Sequence, residues 1–242
     1  MESSEFISRV DKWDQKIILK YNGIGGKAFT YVLKPISFLG RETLWISLIA
    51  FYLLIWYDPF LLAHFSAIFL NGFILIFSIK QMVKRSRPFE RFNENKLRVL
   101  ERKPISKSFP SWHSYNVVSY GLLFGFLLNS PLVIILMLFI ATVVSFSRIQ
   151  IGVHYPTDVI FGYFLGIIGF ISAIYIVSPL LNMLLIYFEQ FTTQDIQYQQ
   201  INTMLFKNFW YLFLCIGIFL GIFLLAISRV IKEYLKKNSK HS

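Results

Sequence analysis

Two histidines, one aspartate and a set of cations fall at spacings that suit phosphoryl chemistry. The chain has four histidines, and two of them sit among other polar residues at what read as helix ends. One group is Pro110-Ser111-Trp112-His113; another is Ser147-Arg148 followed by His154 and Asp158. A third, Lys80 and then Arg87-Pro88, precedes both. Lys80, Arg87 and Arg148 offer charge-assisted donors, and the planar fork of arginine matches a phosphate. Ser111 adds a hydroxyl, and the free backbone N–H groups of a helix start form an anion site. A pocket made of these takes a phosphate-like anion. One imidazole can attack phosphorus while the other protonates the departing oxygen. Asp158, four residues after His154, can accept the N–H of one ring nitrogen and leave the other free.

The elements that must gather these groups follow from composition. Of 242 residues, 55% are hydrophobic and 15% charged, with mean hydropathy +0.56. A soluble domain carries about 25% charge. Disorder is excluded by the apolar content. Cys215 is the only cysteine, which excludes an intrachain disulfide and a cysteine-rich zinc site and leaves it a packing role in the last helix. The chain reads as an integral membrane protein. A spanning helix needs about 20 mostly apolar residues, and six segments come close: 43–57, 60–79, 113–128, 132–146, 156–176 and 206–231. Asp58-Pro59 ends the first, Asn129-Ser130-Pro131 makes a turn, and Pro156 suits a first helical position. The fifth segment has room to continue past Pro179.

This helix count puts the N-terminus, the loop 80–112, the stretch 148–155 and the C-terminal tail on one side. All three polar clusters are there, so a bundle can bring them together. That side holds 23 of the 24 Lys and Arg residues, Lys207 being the exception. By the positive-inside rule it faces the cytoplasm. The loop 80–112, with ten Lys and Arg against three Glu, also reads as a flank that attracts anionic lipid. Phe6, Val10, Trp13, Ile17 and Leu19 read as one face of an interfacial helix. Residues 190–202 are polar and read as a loop.

The three clusters together resemble the type 2 phosphatidic acid phosphatase superfamily, which also includes the vanadium haloperoxidases. Ten specified positions appear in the family's order: Lys80, Arg87, Pro88; Pro110, Ser111, His113; Ser147, Arg148, His154, Asp158. The resemblance covers roughly residues 43–175. It implies an all-α, polytopic membrane helix bundle of about six spans with a core like that of the superfamily. The expected organisation is an N-terminal interfacial segment 1–42, a catalytic membrane core 43–177, and 178–242 as polar loop, last span and basic tail. The implied reaction is a two-step hydrolysis: His154 attacks phosphorus, His113 protonates the leaving group, and Asp158 orients His154. Lys80, Arg87, Ser111, Trp112 (by its backbone N–H) and Arg148 hold the phosphoryl oxygens. No metal or other cofactor is expected. The partners implied are a lipid phosphate substrate and membrane lipids, with no nucleic acid; candidate substrates are phosphatidate, phosphatidylglycerol phosphate, a polyprenyl pyrophosphate or a glycolipid phosphate. The resemblance places the protein in a bacterial cytoplasmic membrane with its site facing away from the cytoplasm, opposite to the charge count.

Trp112 stands where the family often has glycine. If that position needs a positive φ, tryptophan is costly there; if only its N–H is used, the donor survives. Two other readings share these residues. A lipid phosphotransferase keeps the phosphohistidine and changes the acceptor. A non-catalytic lipid-binding membrane protein keeps only the pocket.

Overall fold

Prolines, glycines and short polar caps set where the apolar runs become helices. The computed structural model describes residues 2–56 and 58–191, and within 209–221 all but 211, 215 and 219. The helices are α1 (Glu2–Tyr21), α2 (Gly26–Phe38), α3 (Glu42–Ile55), α4 (Pro59–Val83), α5 (Pro88–Arg91), α6 (Trp112–Leu127), α7 (Pro131–Gln150), α8 (Pro156–Ser172) and α9 (Ser178–Glu189). Proline opens α4, α7 and α8, where its missing N–H would have no intrahelical partner anyway. Asp58 caps α4 by accepting from Leu61 N at 2.9 Å, and Ser130 caps α7. A π-helical turn at Ala173–Val177 carries α8 into α9, so the fifth apolar run does continue past Pro179.

The architecture is all-helical, as expected, and the described residues hold three of the six expected spans at membrane-crossing length. Three stretches among the described residues are long and apolar enough to cross a membrane: Pro59–Arg91, Pro131–Gln150 and Pro156–Glu189. The 14 residues of α3 and 16 of α6 are apolar but short. Sixteen residues reach about 24 Å, against a hydrocarbon core of about 30 Å. Of the sixth expected span only parts of 209–221 are described, and these are helical; the rest of that span, Cys215 and nearly all of 190–202 lie outside the described residues.

Helix α6 is the centre of the bundle. It packs on α7, α8, α4 and α3, and ten of its residues are buried. Gly162, Gly166 and Gly169 form one row on α8 that faces it. A Cβ on Gly162 would come within 2.4 Å of the Ser111 carbonyl oxygen, so the absence of a side chain lets the two backbones touch. Below this contact Trp45, Phe65 and Tyr120 stack, with centroids 5.1 and 4.4 Å apart. The outward rows of α7 and α8, among them Leu132, Phe139, Phe161 and Phe164, are exposed, as lipid contact requires.

The N-terminal segment folds over the site end of the bundle. It contains two helices, α1 and α2, where one interfacial segment was expected. The inward face of α1 is centred on Asp14 and Ile18, with Val10 and Ile17 half-buried beside them. Phe6, Val10, Trp13 and Ile17 follow helical spacing along one stripe of α1, its outer edge exposed and its inner edge half-buried, whereas Leu19 lies on another side, so four of the five apolar residues share a face. Ile18 packs with Leu97 and Tyr155 in a small separate core. Asn22 at the end of α1 accepts from Arg98 N and donates to the carbonyls of Arg98 and Gln150, at 2.8, 2.9 and 3.1 Å. Together with Leu100 N to Ile151 O at 3.1 Å, these contacts pin the long basic loop onto the turn between α7 and α8.

Candidate active site

Three helix ends converge at that turn. Helix α7 ends at Gln150, and Gly152 turns the chain at φ 85. The amides of Val153 and His154 then bond back to Arg148 O at 3.2 and 3.3 Å. This tight return places His154 just before Pro156 opens α8. Asp158 lies in the first turn of α8, where its Oδ2 accepts from Tyr155 N at 2.9 Å. Ser111 N donates to Asp158 O at 2.8 Å, joining the start of α6 to the start of α8. All of these groups are enclosed: His154 is 3% exposed, Asp158 0%, Arg148 2% and Arg87 3%.

The imidazole of His154 is held between a cation and a carboxylate. Arg87 Nη1 lies 3.2 Å from its Nε2. Asp158 Oδ2 lies 3.4 Å from its Nδ1, within ion-pair range but without hydrogen-bond geometry. Guanidinium nitrogens only donate, so Nε2 is the acceptor and the ring proton belongs on Nδ1, facing Asp158. Burial first, then Arg87, Lys80 and Arg148, push His154 well below its ordinary pKa. The ring is therefore neutral, with its lone pair on Nε2. Arg87 is itself fixed through Nε to Ser106 O at 2.6 Å and Nη1 to Val153 O at 2.9 Å. Lys80, at the end of α4, donates to Lys107 O.

The second histidine sits beside a different anion. Helix α6 begins at Trp112 with Ser111 as its cap; the Ser111 hydroxyl accepts from Ser114 N and its Oγ is 3.1 Å from Ser114 Oγ. His113, on the first turn, lines a cavity of about 1760 Å³ together with Arg148, Arg41 and Glu101. Glu101 bridges two arginines there, 2.6 Å from Arg41 Nη2 and 2.7 Å from Arg148 Nη1. Arg148 Nη1 also donates to Ser37 Oγ at 2.7 Å. Among the described residues, Arg148 Nε, His113 Nε2 and Trp112 Nε1 are buried without hydrogen-bond partners.

A family model for the PAP2 superfamily matches residues 60–182, just over half of the chain. The chain belongs to the PAP2 superfamily. Its long apolar helices make it an integral membrane protein of that superfamily, and the phosphatases of lipid phosphates it is similar to make it a lipid phosphatase by class. An undecaprenyl-diphosphatase of Sulfolobus acidocaldarius is 35% identical over 149 residues, 62% of this chain and 70% of that protein. A decaprenylphosphoryl-5-phosphoribose phosphatase of Mycobacterium tuberculosis is 36% identical over 88 residues, 36% of this chain and 45% of that protein. Among solved structures, a PAP2 type phosphatidylglycerolphosphate phosphatase from Bacillus subtilis superposes with TM-score 0.53 at 23% identity, covering 77% of this chain and 90% of that one. Aquifex aeolicus LpxE gives 0.54 at 21% identity, over 66% and 93%. These two likenesses speak for the fold.

The PAP2 pattern residues group as follows. His154, Asp158 and Arg87 are in direct contact or ion-pair range, with Lys80 at the loop behind Arg87. Arg148 and His113 line the adjoining cavity. Trp112 is helical and is not among the residues with positive φ, so its side chain strains nothing; the indole packs beside the Trp45–Tyr120 core. Sequence reasoning missed Arg85, whose Nη1 lies 2.8 Å from Asp158 Oδ1, and Ser108, whose hydroxyl donates to Asp158 Oδ2. It also missed Glu101 and Asp14. Arg85 and Ser108 belong to an irregular loop whose folding leaves no periodic trace. The only signal for Glu101 is its rarity, one of three acids among ten cations in that loop.

Proposed function

We propose that this protein hydrolyses a membrane-resident lipid diphosphate through a phosphohistidine at His154. The observation that carries the reading is the placement of the imidazole, with Nδ1 3.4 Å from Asp158 Oδ2 and Nε2 3.2 Å from Arg87 Nη1; a neutral ring with its proton toward Asp158 and its Nε2 lone pair toward the cations is the state that fits it. Arg87 Nη1 occupies the direction from which phosphorus would arrive. On binding, Arg87, Lys80 and Arg148 take the phosphoryl oxygens, as do the Ser111 hydroxyl and the backbone N–H of Trp112. His154 Nε2 forms the N–P bond as the bond from phosphorus to the leaving oxygen breaks. His113 gives that oxygen its proton, then takes one from water as water cleaves the N–P bond and frees phosphate. Asp158 holds the Nδ1 proton and stabilises the ring while it carries charge. The cations offset the charge spread over the oxygens in the transition state.

The choice of a diphosphate rests on the cavity that opens onto His113. Eight Lys and Arg side chains line it against Glu42, Glu94 and Glu101, a net positive wall in which Arg41 and Lys103 are already paired with Glu101 and Glu94. A departing alcohol would gain nothing from those charges, whereas a departing lipid phosphate would. The diphosphatase among the named relatives agrees in chemistry. The test is phosphate release by purified protein in detergent with EDTA, from polyprenyl diphosphate, polyprenyl monophosphate and phosphatidate, with His154→Ala as control. Release fastest from the diphosphate and absent from His154→Ala supports the reading. Equal or better release from phosphatidate refutes the diphosphate preference.

A further inference from the structure

We infer that Asp14 is a positioning residue for the reaction, holding the His154–Asp158 pair in register through Arg85 and Thr157. This rests on the reading of His154 as nucleophile. Asp14 belongs to α1, outside the segment matched by the PAP2 family. It is fully buried. A carboxylate in that setting is costly unless its oxygens are paired, and these are. Oδ2 accepts from Arg85 Nη2 at 2.6 Å and from the Thr157 hydroxyl. Oδ1 accepts from Thr157 N at 2.9 Å.

That last bond supplies α8 with a cap from another helix. The N–H of Thr157 is one of the donors a helix start leaves without an intrahelical partner, and Asp14 satisfies it. Arg85 makes the second connection. Its Nη1 donates to Asp158 Oδ1 at 2.8 Å and to Thr157 Oγ1 at 2.7 Å, while its guanidinium lies 4.2 Å from the centre of the Tyr155 ring. One arginine thus spans two buried carboxylates and stacks on the residue that follows His154. The far oxygen of Asp158 is the one that faces His154 Nδ1. If Asp14 lets go, Arg85 keeps Thr157 Oγ1, the Tyr155 ring and a longer pairing with Asp11 at 3.6 Å, but loses its 2.6 Å anchor. Asp158 keeps its Oδ2 bonds from Tyr155 N and Ser108 and loses the firmly fixed partner of Oδ1 that sets the tilt of its carboxylate.

The outward face of α1 carries Phe6 and Trp13, 68% and 44% exposed, as an interfacial helix would. Its inward face reaches the reacting pair through two side chains.

The experiment uses full-length protein in detergent with a lipid diphosphate substrate. Asp14→Asn keeps the shape and removes the charge. Removing groups that orient a reacting or ligating side chain from one layer out costs about 10- to 100-fold, so kcat should fall by that factor while KM stays within about threefold. Arg85→Lys keeps a charge but cannot span both carboxylates and should show the same split. The double variant should be little worse than either alone, because both break one connection. Wild-type kcat in Asp14→Asn overturns the inference, and so do fully multiplicative losses in the double variant. If Asp14→Asn does not elute as a folded protein, Arg85→Lys alone decides by its kcat and KM. His154→Ala separates the two readings: if it retains turnover, the nucleophile assignment fails. If it is dead while Asp14→Asn is fully active, only the role of Asp14 fails.

Discussion

Gly162→Ala probes the contact that sets the two halves of the site against each other. The new methyl group would stand 2.4 Å from the Ser111 carbonyl oxygen and 3.2 Å from Ser111 N and C. The first distance is about an ångström short of ordinary van der Waals contact, and the obstacle is backbone that no rotamer change can clear. Ser111 caps α6, with His113 two residues on; its own N–H holds Asp158 O, with His154 four residues back. Relief therefore requires the starts of α6 and α8 to part by about 1 Å, carrying His113 away from His154. A misplacement of that size costs about 100-fold in rate, or about 2.7 kcal/mol in barrier. Overpacking itself costs about 1–3 kcal/mol of stability. The assay is phosphate release at saturating substrate, with thermal unfolding of the same samples. Gly121→Ala is the control: its methyl group would meet the Met137 side chain at 3.0 Å on the α7 face of α6, where it shifts neither histidine, and activity should stay within a few-fold of wild type. If Gly162→Ala keeps wild-type kcat, α6 and α8 do not set the geometry as argued.

The pH dependence of stability tests Glu101. Burial pushes its carboxyl up, but Arg148, His113 and Arg41 outweigh burial and hold it at about 2. A depressed acid contributes stability that is complete above its unfolded pKa, near 4.5, and is lost as pH falls toward 2. Glu101→Gln should remove that part of the slope of Tm between pH 4.5 and 2; a curve parallel to wild type contradicts the pairing. His154, lowered by burial and by Arg87, Lys80 and Arg148, should take up its proton only well below pH 6.5. Its ring-carbon NMR shift, identified by loss in His154→Ala, should stay at the neutral value as pH drops through 6.5; a midpoint at 6.5 or above refutes the assignment. Trp112→Gly should change the ratio of kcat/KM between diphosphate and phosphatidate by about tenfold. An unchanged ratio makes the indole a packing group only.

The helices were legible where punctuation is strong. Pro59, Pro131 and Pro156 mark their starts, and Asp58 and Ser130 cap two of them, as local rules allow. The polar positions of the pattern were legible because His113, His154 and Asp158 are few and stand at helix ends. What could not be read is what depends on approach in space. Helix α2 was hidden because Lys34-Pro35 and its glycine-rich start resemble a loop, yet Pro35 sits inside the helix. The extents of α3 and α6 were read to within about two residues, but apolar content alone does not say whether helices so short cross a membrane by themselves. Arg85 looked like one more cation in a basic flank, and Asp14 like one more acid on an amphipathic helix. Only their meeting, 71 residues apart in the chain, distinguishes them.

Trapping the covalent intermediate tests the mechanism most directly. Wild-type protein mixed with a lipid diphosphate labelled in its terminal phosphate, then quenched in alkali within the first turnover, should carry label that is stable to base and lost in acid, as a phosphohistidine is. Peptide mapping should place it on His154, with none in His154→Ala and more in a variant whose second step is slowed, such as His113→Ala given a substrate with a good leaving group. Rapid turnover with no protein-bound label at any quench time, or label on another residue, would contradict the account.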